Sequence, residues 1–257
     1  ERPAALADAL AKISAGGQAL AGGQTLIASL KQRLAQPGSL VDLAGVGELS
    51  GIKKEGNTLV IGAMTRHEFV ADSAEVKASI PGLAALAGQI GDRQVRAMGT
   101  MGGSVANNDP AACYPSAVLA LGATVQTNKR KIAADDFFQG MYTTALEEGE
   151  LITAIHFPVP QKAAYAKFRQ AASRFALVGV FVAQTDQGVR VAITGAGNGV
   201  FRHAGLEAAL SKSFTAEAVE GVSIDANELN GDLHASAAFR AQLIKVQTQR
   251  AVQQANA

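Results

Sequence analysis

Pro158-Val159-Pro160 interrupts this chain and divides it. Two prolines fix φ, withhold backbone donors and push the residue before each into extended chain, so no helix or central strand runs through them. The patterning also differs on the two sides. Before the break, short helical and strand-like segments alternate. After it, Tyr165–Gln170, Leu177–Gln184 and Val189–Thr194 read as strands, the last two joined at Asp186-Gln187-Gly188. Helical stretches follow at Ala204–Leu210, Thr215–Val222 and Ser236–Gln254. Strands followed by helices predict a separate α+β unit. The expected division is therefore 1–160, with subdomains of about 1–53 and 54–160, and 161–257.

In the first subdomain, Leu6, Leu10 and Ile13 fall at helical spacing behind Pro3, and Gly16-Gly17 ends that helix. Ala19–Ala21 is the expected strand. Leu26, Ile27, Leu30 and Leu34 mark a second amphipathic helix, and Ser39–Leu43 a second strand. Ile52–Lys54 and Thr58–Gly62 form a hairpin across Glu55-Gly56-Asn57. Helical segments are expected at Arg66–Asp72 and Leu83–Ile90. Gly91–Pro115, with Gly91, Gly99, Gly102 and Gly103, reads as one long irregular loop of the kind that carries function. Helix Ser116–Leu121 and strands Thr124–Thr127 and Leu151–Phe157 complete the pass.

Composition excludes several classes. The 257 residues carry 23 basic and 22 acidic side chains, a net charge of +1, too little positive excess for a general grip on nucleic acid or an anionic membrane. Charged residues amount to 18%, below the ~25% of average soluble domains, which suggests a surface partly covered by a partner. The single cysteine, Cys113, excludes an internal disulfide and any iron–sulfur or Cys-rich zinc site built from this chain alone. No histidine pair has metal-ligand spacing, so no metal site is expected. The apolar runs are too short to span a bilayer. The start, ERPAALADAL, lacks a signal core and an initiator Met, so the expectation is a cytoplasmic protein with residues missing upstream.

Two glycine pairs carry the chemistry. Ala21-Gly22-Gly23-Gln24-Thr25 lies between a strand and a helix start, where backbone N–H groups can approach a ligand without Cβ obstruction and Thr25 can cap the helix. Thr100-Met101-Gly102-Gly103-Ser104 repeats the pattern in the long loop. Each alone reads first as a tight structural turn; two in one chain suggest a diphosphate held from both sides. No GxxxxGK[ST] segment exists, and in Gly195-Ala196-Gly197-Asn198-Gly199 the next residue is Val200 where a dinucleotide fingerprint needs glycine. No triad or carboxylate pair suggests a chain that transforms an organic substrate by itself, so no catalytic residue is assigned. His67 reads as structural, Cys113 as a buried small residue, and Lys129-Arg130-Lys131 as a solvated turn.

Taken in order, AGGQTLIASLK, QVRAMGTMGGSVANNDPAACYP and GELITAIHFPVP resemble the FAD-binding (medium) subunit of molybdenum hydroxylases, the xanthine dehydrogenase and aerobic carbon monoxide dehydrogenase group. The likeness extends to the family's flavoprotein C-terminal domain, through Asp232–Ile244. It implies an α+β chain with a PCMH-type (vanillyl-alcohol-oxidase-like) FAD fold of two α/β subdomains, followed by a C-terminal domain of antiparallel strands and helices. It places Ala21, Gly22, Gly23, Gln24, Thr25 and Leu26 on one side of the FAD pyrophosphate, and Thr100, Met101, Gly102, Gly103 and Ser104 on the other, with backbone N–H groups doing most of the holding. Leu151 or Ile152 would lie against the flavin, and Arg169 would supply a cation near its N1/C2=O edge. Asn107, Asn108 and Asp109 either contact the cofactor or order the loop. The family often reads DPAAD, with the last Asp contacting the cofactor; here Cys113 stands in that place, which puts the contact in doubt.

The resemblance further implies an electron-transfer function. A large partner subunit would carry the molybdopterin cofactor and set substrate specificity, and a small one would carry two [2Fe–2S] clusters. FAD on this chain would pass electrons to an external acceptor such as NAD, oxygen or a quinone, within a dimer of heterotrimers. Two rivals stay open from the sequence: a self-contained FAD-dependent oxidoreductase, and a scaffold subunit without flavin.

Overall fold

The computed structural model describes residues 1–257, a mixture of helix and sheet organised around three apolar clusters. The smallest lies near the N-terminus. Helix α1 (Leu6–Ser14) buries Ala9, and β1 (Gln18–Leu20) pairs in parallel with β2 (Leu40–Asp42), Ala19 opposite Val41. Between them α2 (Leu26–Lys31) ends sooner than its leucine spacing predicts. Arg33 takes the left-handed conformation at φ +58°, which stops the helix and leaves Leu34 78% exposed. Ala9, Val41, Leu43, Val46 and Leu49 close on Met64, contributed by the next part of the chain.

The second part is built on an antiparallel five-stranded sheet. Strands β3 (Ile52–Glu55) and β4 (Thr58–Gly62) form the predicted hairpin, with Gly56 at φ +59° in the turn. Helices α3 (His67–Asp72), α4 (Ala74–Ser79), α5 (Pro81–Gly88), α6 (Arg93–Met98), α7 (Met101–Asn107) and α8 (Tyr114–Ala120) follow without an intervening strand. Strands β5 (Thr124–Thr127) and β6 (Lys131–Ala133) come next, then the one-turn helix α9 (Ala134–Phe137) and the small hairpin β7 (Phe138–Gly140) and β8 (Thr143–Thr144). Strand β9 (Ile152–Pro158) enters the middle of the sheet, giving the order β3-β4-β9-β5-β6.

The expected irregular loop Gly91–Pro115 is therefore mostly helical. Asp92 caps α6 by accepting from the Val95 N–H at 2.8 Å, and Thr100 caps α7 by accepting from the Gly103 N–H at 3.2 Å. These caps and a buried face (Met101, Gly102 and Val105) outweigh the poor helix propensity of two adjacent glycines. Gly102 is there for space: a Cβ would stand 2.5 Å from Ala63 Cβ.

After only Val159–Gln161, the third part opens as an antiparallel meander of β10 (Lys162–Arg169), β11 (Ala176–Thr185), β12 (Gly188–Thr194) and β13 (Phe201–Arg202). Helix α10 (Ala204–Lys212) and the 20-residue α11 (Ala237–Asn256), capped by Ser236, complete it. The predicted helix Thr215–Val222 is reduced to a 3-10 turn at Glu217–Val219. Strand β11 is buried on both faces. Val178, Val180 and Val182 pack with Leu243, Ile244, Ala251 and Val252 of α11, while Phe181 and Ala183 on the other face join the core of the second part. A strand buried on both faces reads as the near-continuous apolar run ALVGVFVA. No helix is long and apolar enough to cross a membrane.

Candidate functional site: a cleft between two glycine turns

A cleft of about 540 Å³ opens where the three parts meet, within the range of cofactor pockets. The two glycine turns form its wall and rest directly on each other. A Cβ on Gly22 would stand 2.3 Å from Met98 O and 2.7 Å from Gly99 Cα, and one on Gly103 would stand 3.1 Å from Ala21 Cβ. Gly23, at φ +72°, turns the chain into α2.

The turns are not equivalent. In the second, the backbone donors are already engaged: Met101 N–H with Thr65 O, Gly102 N–H with Ala63 O, Gly103 N–H with Thr100 Oγ1, and Ser104 N–H with Thr100 O. In the first, the N–H groups of Gly22, Gly23, Gln24 and Thr25 donate to no protein acceptor. Thr25 makes no side-chain cap, contrary to the sequence expectation, because its backbone is already near the helical region. The first turn thus offers free amides, and the second offers shape and the hydroxyl-bearing Thr100 and Ser104. Four unpartnered amides, on half-buried Gly22 and Gly23 and exposed Gln24 and Thr25, suit an acceptor-rich ligand such as a diphosphate, and the missing Cβ atoms of the glycines leave it room. The cleft therefore fits the cofactor expected from the sequence.

Of the residues singled out in the sequence, Ala21 to Leu26, Thr100, Gly102, Gly103, Ser104, Asn107, Asp109, Cys113, Leu151 and Ile152 line the cleft. Met101 does not: it points into the core and is fully buried. Asn108 is also turned away. Left-handed at φ +44°, it donates through Nδ2 to Gly140 O at 2.7 Å and Thr143 O at 2.8 Å, fastening the β7–β8 hairpin. Asp109 accepts from the Ala111 N–H at 2.8 Å and from the Tyr142 hydroxyl at 3.3 Å, so it shapes the turn it borders. Arg169 is exposed and outside the cleft lining. Regular alternation would put it on the face of Lys167, but a bulge at Phe168/Arg169 breaks the register and re-aims it.

Several lining residues carried no sequence signal for this place. Lys167 reaches in from β10, donating to Gln89 O at 2.6 Å, Arg174 O at 3.0 Å and Cys113 Sγ at 3.4 Å. His67, 4% exposed, packs its ring 5.2 Å from that of Tyr114 and leaves Nδ1 without a partner. Burial, aided by the Arg96 charge, pushes its pKa down to about 4. Glu150, also buried, is held down to about 2, chiefly by its hydrogen bonds with Arg130 against the opposing effect of burial. Arg130 is thus part of an ion pair rather than only a solvated turn. Ser173, Arg174 and Phe175, in the turn between β10 and β11, complete the rim.

The carboxylates that line the cleft, Asp109 and Glu150, are both committed to structural contacts, and no cluster of metal-ligating side chains exists. Fold and cleft suit a protein that holds a large acceptor-rich cofactor between its glycine turns. The comparisons give the family. Residues 1–160 match the family described as "FAD binding domain in molybdopterin dehydrogenase", and the chain belongs to it. It is 41% identical over 197 residues to the carbon monoxide dehydrogenase medium chain of Afipia carboxidovorans, covering 73% of this chain and 68% of that one. It is 34% identical over 206 residues to the nicotine 6-hydroxylase medium subunit of Paenarthrobacter nicotinovorans, covering 76% and 73%. Among solved structures, carbon monoxide dehydrogenase from Hydrogenophaga pseudoflava superposes with a TM-score of 0.89 at 34% identity, over 99% of this chain and 96% of that one. The chain is an FAD-binding oxidoreductase subunit.

Proposed function

We propose that this chain is the FAD-carrying electron-transfer subunit of a multi-subunit molybdenum hydroxylase. The observation that carries the reading is the pair of abutting glycine turns, one with four free amides, at the wall of the cleft. Bound FAD would accept electrons from the [2Fe–2S] clusters of a small subunit, reduced in turn by a large molybdopterin subunit, and release them to an external acceptor. The chain's own residues bind and orient. Gly22 to Thr25 meet the diphosphate, Thr100 and Ser104 flank it, and Ile152 offers an apolar wall to a ring. Residues 1–160 would form the FAD-binding domain in a PCMH-type fold. Residues 161–257 would form a C-terminal domain that closes the cleft with Lys167 and Ser173–Phe175. The assembly would be a dimer of heterotrimers; relatives named as medium chains of carbon monoxide and glyceraldehyde dehydrogenases support such partners.

The test is the visible absorption spectrum of the chain expressed alone, with the released cofactor identified by chromatography. Non-covalent FAD near one per chain is expected, with no substrate turnover by the isolated chain. A folded chain that stays colourless with added FAD overturns the proposal in favour of a scaffold subunit. Turnover by the chain alone favours a self-contained oxidoreductase.

A further inference from the structure

One wall of the cleft is held from outside it. Glu150, Leu151 and Ile152 line the cleft, whereas Thr127, Asn128 and Arg130, at the end of β5 and in the turn that follows, do not. The β5–β9 ladder stops short of this wall. Its register shifts at Gln126/Thr127, where Thr127 pairs with Ile152 and Thr153 becomes the extra residue. Beyond that last pair, Asn128 takes over. The Leu151 N–H donates to Asn128 Oδ1 at 2.8 Å, and the Asn128 N–H donates to Leu151 O at 3.0 Å. A single residue thus satisfies both backbone groups of Leu151.

Glu150 secures the position before it. Its side chain, with no exposed surface, accepts from Thr127 Oγ1 at 2.6 Å, from Arg130 Nε and Nη2 at 3.1 Å each, and from the Glu147 N–H at 2.8 Å. Arg130 Nη2 also donates to Ala145 O at 2.7 Å. Leu151 itself packs against the N-terminal apolar cluster, as do Ala19 and Ala21, which lead into the first glycine turn. Leu151 therefore links the cleft wall to the part of the chain that carries the free amides. A wall locked by hydrogen bonds from behind keeps its place against a ligand.

We infer that Asn128, which does not line the cleft, is a positioning residue for bound FAD: by holding Leu151 at both backbone groups it sets the distance and tilt of the Leu151–Ile152 wall against the flavin ring. This rests on the FAD reading above. Arg130 and Glu150 act in the same direction through the preceding residue.

The experiment compares variants of the FAD-loaded full chain by visible circular dichroism of the bound flavin at saturating FAD and by fluorescence titration for affinity. Asn128→Ala leaves the Leu151 N–H without its acceptor. It should alter the flavin bands and weaken FAD binding about tenfold, the scale of one lost hydrogen bond. Asn128→Asp keeps the acceptor oxygen and should restore both. Lys129→Ala removes a neighbouring side chain that bonds only Glu147 and Glu148, and should change neither. A residue serving stability alone would lower the urea midpoint and leave the bands of the saturated flavin unchanged. That result in Asn128→Ala overturns the inference, as does an equal change in Lys129→Ala. If Asn128→Ala fails to fold, Asn128→Gln, which carries its acceptor one methylene further out, decides by the same two readouts. Failure of the underlying FAD reading is distinct, since the unaltered chain would then carry no flavin spectrum.

Discussion

Acid should destabilise this protein chiefly through one imidazole, and replacing His67 with Gln should remove that part of the sensitivity. His67 is packed against Tyr114 and close to Gly99, where a Cβ would come within 2.5 Å of its Nε2. A proton on this ring would be buried near the Arg96 charge with no acceptor, hence the pKa of about 4 against an ordinary value near 6.5. Because the folded value is depressed, the unfolded chain binds a proton that the folded chain refuses. Stability is therefore full above pH 6.5, falls as pH drops through the interval, and loses no more to this group below about 4. The gap corresponds to roughly 3 kcal/mol, with a slope approaching ~1.4 kcal/mol per pH unit near pH 5. Urea unfolding of the cofactor-free chain between about pH 7.5 and about pH 4 measures it. His156, whose pKa is also lowered mainly by burial, contributes with the same sign, but it cancels in the comparison with His67→Gln. Glu150, whose contribution is lost as pH falls from the ordinary 4.5 toward about 2, enters only at the acid end of the range and cancels in the same comparison. Parallel curves for the two proteins would refute the reasoning.

Gly22→Ala places a Cβ against Met98 O and should force the two turns apart, lowering FAD affinity at least about tenfold, whereas Gly38→Ala, with nothing within 4 Å, should not. Fluorescence titration with FAD compares them. Thr194→Val removes the hydroxyl that serves Pro110 O and Ala112 O and should cost about 1–3 kcal/mol in chemical unfolding, with Thr194→Ser recovering most of it.

The glycine pairs were legible in the sequence because close backbone approach leaves a compositional mark. What they do was only half legible. Glycine content predicts permissive backbone, but Thr100 and Asp92 turn the second segment into capped helices whose amides are engaged, and a cap is visible only once the helix is accepted. Arg169 illustrates a different limit. Period-two alternation puts residues 167 and 169 on one face, and a single extra residue opposite them, around Leu177, separates them. Lys167 was therefore hidden behind a more conspicuous neighbour. His67 and Glu150 come from segments distant in sequence, and only the tertiary fold brings them to the cleft.

The hydrogen bonds from Thr194 and Gly195 to the 110–112 turn also set an order of events during synthesis. Chains emerge N-terminus first and their parts fold as they become available. The glycine turns are complete after Ser104, yet the opposite wall at Ala111–Cys113 gains its supports only when β12 is made, and Gly195 gains its own from Arg240 of α11. Until β10 to β12 arrive, the core of the second part also lacks Tyr165, Phe181, Ala183 and Ala192. A nascent chain therefore presents a half-built cleft until β12 and α11 have been made.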